Sequence, residues 1–82
     1  MGPTEMSAQR RQQLTEANQL VAAAEARIAN VRARIADLER LGGDATVPRE
    51  GLAELEATLE LMRRHRDMIE RLVANPDGPK GD

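Results

Sequence analysis

Eighty-two residues allow a single domain. The charge is nearly balanced, 12 basic against 14 acidic residues for a net charge of −2, which argues against a protein whose main task is to grip nucleic acid through its phosphates. The absence of cysteine excludes a disulfide framework and a thiolate metal site, and the absence of aromatic residues leaves a core of Leu, Ile, Val, Met and Ala. A short chain without the large buried area that aromatic rings supply is marginal alone, so self-association is expected on physical grounds.

Residues 1–7 read as a flexible N-terminus. They carry no apolar leader segment, and no later run approaches the ~18 apolar residues of a membrane span, so a soluble, cytoplasmic protein is expected with no membrane partner. Helix one is predicted over about 8–41, beginning with the polar stretch Gln9–Gln13. From Leu14 its apolar residues recur in alternating steps of three and four. Leu14, Val21, Ile28 and Ile35 occupy one heptad position, and Ala17, Ala24, Val31 and Leu38 the other. Arg40 suits the negative end of the helix dipole, and Gly42-Gly43 suits a helix terminus where glycine takes a left-handed conformation at no steric cost.

A turn is expected over 42–46, then helix two over about 47–74. Pro48 fits a first turn, Thr46 (or Asp44) can cap the free amides, and Glu50 is expected in the same turn; Gly51 weakens it. The seam continues through Leu52, Leu55, Leu59, Met62, Arg66, Ile69 and Val73. Asn75-Pro76-Asp77-Gly78-Pro79 ends the helix, and 75–82 read as a disordered tail. The fold class is therefore all-α, an antiparallel two-helix coiled-coil hairpin.

The short turn sets the register. Leu38 faces Leu52, Ile35 faces Leu55, Val31 faces Leu59, Ile28 faces Met62, Ala24 faces Arg66, Val21 faces Ile69, and Ala17 faces Val73. The same alignment lets Arg32 reach Glu56 and Glu25 reach Arg63. Arg66 lies over small Ala24, its stem covering the seam while its guanidinium reaches water, Glu25 or Glu70. Leu14 projects beyond the end of helix two, and the alanine-lined open end is expected to be the softer one.

Helix two has a second apolar stripe, Thr58, Leu61, His65, Met68 and Leu72, with Leu20 and Leu41 of helix one bordering the same side. The opposite flank is charged. A contiguous apolar patch in water marks an interface, and two hairpins stacking as a homodimeric four-helix bundle would cover it. The candidate interface residues are Leu20, Leu41, Leu61, His65, Met68 and Leu72. A further stripe, Ala22, Ala26, Ala29, Ala33 and Ala36, reads as a solvent face of high helix propensity.

No catalytic constellation is visible. His65 is the only histidine and Ser7 the only serine, far apart in the sequence. Catalytic, cofactor-binding and metal-ligating residues are all expected to be absent, and the chain reads as no enzyme. Arg10 and Arg11 with Arg63 and Arg64 offer an alternative reading as an accessory nucleic-acid-binding protein, but acidic residues are interleaved with the second pair and no aromatic is present for base stacking.

At Gly42, Asp44, Leu52, Leu55, Thr58, Leu59, Leu61, Arg63, His65, Arg66 and Asp67 the chain resembles a group of short uncharacterised alphaproteobacterial helical-hairpin proteins. These share a Gly-x-Asp turn and a Leu-patterned second helix ending in His-Arg-Asp. Gly43 and Met62 depart from that pattern, at positions where those proteins often carry histidine. The resemblance implies a bacterial helical hairpin and no activity. The leading expectation is a small protein–protein scaffold or regulator of unknown partner, homodimeric, using helix-on-helix recognition.

Overall fold

Two helices account for nearly all of the computed structural model, which describes the backbone of residues 3–74 and the side chains of residues 7–74. Helix α1 spans Pro3–Arg40 and α2 spans Thr46–Ala74. They pack side by side as an antiparallel hairpin in a rod of 60 × 24 × 14 Å. There is no strand among the described residues, and neither helix is long and apolar enough to cross a membrane.

The reversal is built from backbone hydrogen bonds. Gly42 sits at φ +76°, the left-handed region that costs a residue with a Cβ energy but leaves glycine unstrained. That dihedral turns the following amide back onto the helix, beside a Gly42 amide that already points there. Gly42 N–H donates to the Glu39 carbonyl at 3.1 Å, and Gly43 N–H to the Leu38 carbonyl at 2.7 Å. This pair of bonds is the Schellman closure, satisfying carbonyls that a helix end otherwise leaves open. Gly43 is small for a second reason: a Cβ there would stand 3.3 Å from Leu38 Cδ2.

The start of α2 differs from expectation. Thr46 is the first helical residue, and the residue that caps it is Asp44. Its Oδ1 accepts from the Thr46 amide at 2.9 Å and from the Thr46 hydroxyl at 2.6 Å. Thr46 is thus held by the cap instead of providing it. Arg49 N–H donates to the Ala45 carbonyl, which makes Pro48 a first-turn residue with no amide to lose. Glu50 falls just beyond that turn, so the negative charge beside the helix start comes from Asp44.

Helix α1 also begins earlier than the expected residue 8. Its backbone is helical from Pro3, so the helix reaches into the segment that the sequence suggested was flexible. Proline is suited to a first helical position, and no helix breaker follows it before Arg40. The expected disordered tail, 75–82, lies outside the described residues.

The seam holds the two helices together. Ala17, Val21, Ile28, Ile35, Leu59 and Ile69 are buried, and Leu14, Ala24, Val31, Leu38, Leu52, Leu55, Met62, Arg66 and Val73 are half-buried. Val21, Ile28 and Leu59 form the centre, with Ala24, Leu52, Leu55 and Met62 packed against them. Burial does not fall toward the open end, because Ala17 and Val21 are as enclosed as Ile28. Small residues there let the helices close in, so burial is kept although less apolar area is available. Ala45, which stands outside the heptads, is the most enclosed of the core residues and closes the turn end of the seam. No side chain in this core is wholly enclosed.

Thermal unfolding followed by circular dichroism tests the two glycine positions. A Cβ at Gly51 meets nothing within 4 Å and the backbone there is helical, so Gly51→Ala should stabilise by about 0.5–1 kcal/mol. Gly42→Ala forces a Cβ into the left-handed region and should destabilise by about 1–2 kcal/mol. Acid titration tests the cap. The hydrogen bonds from the Thr46 hydroxyl, then from its amide, hold the Asp44 carboxyl below its ordinary 3.8. A depressed folded value means that the stabilisation is complete above 3.8 and is lost as pH falls through the lower folded value. Asp44→Asn, which keeps an acceptor but does not titrate there, should show a smaller loss of melting temperature in that acid range than the wild type.

Candidate interaction face

The two sides of the seam differ in kind. On one flank α1 presents Glu25, Arg32 and Glu39, one heptad apart, and α2 presents Arg63, Glu56 and Arg49 in the same spacing. Each faces its opposite. Arg63 Nη2 donates to Glu25 Oε2 at 2.8 Å, Arg32 Nη2 donates to Glu56 Oε2 at 2.5 Å, and Arg49 pairs with Glu39. The first two pairs were expected from register; the third extends them by one heptad at the turn. Sign alternates along both helices, so the pattern matches when α1 lies antiparallel to α2. All six side chains remain substantially in water, which keeps each pair at about 0.2–1 kcal/mol.

Arg66 behaves differently from its expected role. Its side chain is half-buried at the seam, and its Nε donates to Asp67 Oδ1 at 2.8 Å. Glu25 is engaged by Arg63 instead, because Arg63 projects from the charged flank directly opposite it. The arginines considered for phosphate contact are also partly committed. Arg63 is tied to Glu25, and Arg64 lies 3.7 Å from Glu60 one turn before it.

The other flank carries the apolar stripe. Leu20, Leu61, Met68 and Leu72 are 56%, 64%, 48% and 37% exposed, and His65 is exposed among them. Leu20, His65, Met68 and Leu72 line one groove of about 340 Å³ between the open ends of the helices, floored by Ala17 and Ile69 and edged by Gln13 and Glu16. Leu61 lies one turn nearer the hairpin's turn. Leu41 is not part of this cluster. It follows the end of α1, at the opposite end of the rod, and is exposed there together with Val47. Thr58 joins a second groove of about 460 Å³ near the turn, where Val31, Val47, Pro48 and Leu55 meet Arg27, Arg34 and Glu54.

Sequence reasoning did not single out Arg27, Arg34 or Glu16. They are charged residues at positions beside the seam on the apolar flank, and none has a hydrogen-bond or ion-pair partner among the described residues. The signal was available, since the heptad numbering that places Glu25 and Arg32 on one flank places Arg27 and Arg34 on the other. The alanines of the third stripe, Ala22, Ala26, Ala29, Ala33 and Ala36, are exposed on the outer face of α1. Among the described residues no group of three or more His, Cys, Asp or Glu side chains is placed to hold a metal ion. No protein-family model, curated protein or solved structure matches the chain.

Charge reversal tests the ladder. Arg32→Glu should lower stability by about 1 kcal/mol through loss of the pair and repulsion from Glu56 and should be largely restored by adding Glu56→Arg, as read from a double-mutant cycle in urea. Equal, additive losses would mean that the pair contributes nothing to register.

Proposed function

We propose that the chain is a small, non-enzymatic helical interaction module that works as a homodimer, two hairpins stacking by their apolar flanks into a four-helix bundle. One observation carries this reading. Leu20, Leu61, Met68 and Leu72 stand exposed along one side of a hairpin whose own core wholly encloses no side chain. The hairpin therefore has apolar surface left over on one flank and little enclosed volume inside, and stacking remedies both. The charged flank supports the same reading from the opposite side. Its side chains already answer one another within the hairpin, so a partner gains little by docking there.

In this role the protein is a scaffold or regulator, and the recognition is of helix by helix along α2. It needs no cofactor and no metal. The cytoplasm is the compartment this reading assigns to it.

Sedimentation equilibrium on the full chain tests the proposal. The wild type should sediment as a dimer, and Leu61→Glu and Met68→Glu should each shift it to monomer while leaving the far-ultraviolet helical signal in place at high concentration. A wild-type monomer whose behaviour these substitutions leave unchanged would remove the apolar flank as the working surface.

A further inference from the structure

The flank has charge as well as apolar area, and its charge is distributed unevenly. Arg34, with Arg27 and Glu54 in the same lining, edges the groove near the turn and leaves it net positive, and Glu16 edges the groove near the open end. Neither Arg34 nor Glu16 has a partner among the described residues, although three Glu–Arg pairs are closed on the other flank. Resting on the dimer reading above, we propose that the occupant of this flank is a second copy lying antiparallel, with its turn at the opposite end of the bundle, so that Glu16 of each copy meets Arg34 of the other.

The geometry of one register then accounts for several separate features. Setting Glu16 beside Arg34 brings Ala23 beside Arg27, giving that arginine's stem a small neighbour to lie against. On α2 the same alignment centres the two copies near His65 and carries Leu61 of one toward Met68 of the other. It also lays the overhanging start of α1 across exposed Leu41 of the second copy. That start of α1 shares a small cleft with the end of α2, where Ser7, Arg10 and Arg11 meet Leu72 and Val73, and a second copy would add cover on its other side. A dimer with both turns at the same end would leave both overhangs at the other end, with neither reaching Leu41, and Glu16 far from Arg34.

Charge exchange on the full chain, read by sedimentation equilibrium, tests this orientation. Glu16→Arg alone and Arg34→Glu alone should each weaken dimerisation about tenfold, because the two-fold axis repeats every lost pair and every repulsion. The double variant should return to within about twofold of the wild type, whereas Glu16→Arg with Arg27→Glu should not. Circular dichroism at high concentration should show all variants helical, since these side chains have no partner among the described residues. A dimer indifferent to the single reversals, or one rescued through Arg27, would overturn the register but leave the apolar-flank dimer standing. A wild-type monomer would overturn both.

Discussion

Between Arg40 and Thr46 the chain reverses direction through a closure that depends on one dihedral, the left-handed φ of Gly42, and on the amide of Gly43 reaching back to Leu38. Everything beyond depends on that length and geometry. A turn longer by one residue would rotate α2 by about 100° relative to the seam, taking Leu52, Leu55 and Leu59 off the line that faces Leu38, Ile35 and Val31. The seam is apolar and tolerant of sliding by a heptad, since Leu, Ile and Val alternate with little distinction. The turn resists such sliding, and the three ion pairs on the charged flank resist it again because their sign alternates. Asp44 completes the device by holding the first residue of α2 through its amide and its hydroxyl. Register is therefore set by short-range backbone geometry and checked by long-range charge.

The same alternation limits what the charged flank can pair with. Two copies of α1 laid antiparallel along it and centred on Arg32 would set Arg32 against Arg32 and Glu25 against Glu39. Two copies of α2 centred on Glu56 would set Glu56 against Glu56 and Arg63 against Arg49. The pattern is satisfied by one α1 with one α2 and is repulsive in those self-pairings, which is the way charged flanks select partners in coiled coils. Within the hairpin the same residues are all satisfied at once, Glu25 by Arg63, Arg32 by Glu56 and Glu39 by Arg49.

How much of this was legible in the residues depends on the range of the interaction. The heptads from Leu14 to Leu38 and from Leu52 to Val73 are periodic signals, and periodicity plus a short turn is enough to place Arg32 against Glu56 and Glu25 against Arg63. The Glu39–Arg49 pair obeys the same register and was legible in principle, but Arg49 precedes the recognisable seam. What was hidden was local. Whether Asp44 or Thr46 caps α2 turns on the position of the first helical residue, and both residue types are good caps. The early start of α1 at Pro3 was obscured because polar residues outside the seam give no periodic signal. Arg66 pairs with Asp67, its neighbour in the chain, a contact set by side-chain rotamer and not by the register that the sequence reveals.

The apolar and charged parts of the free flank act on different quantities. Fully burying a leucine or methionine is worth about 1.5–3 kcal/mol, while an exposed ion pair is worth about 0.2–1 kcal/mol. Leu20, Leu61, Met68 and Leu72 therefore dominate the affinity with which anything binds this face, and Glu16, Arg27 and Arg34 cannot supply it. Apolar contact is however nearly indifferent to direction, and a stripe of leucine and methionine accepts a helix in either sense. A net positive lining near the turn, Arg27 and Arg34 against Glu54, and Glu16 toward the open end do distinguish one orientation from its reverse. The hairpin divides its labour in the same way along its own seam, where leucine and isoleucine hold the helices together and the alternating pairs choose the alignment.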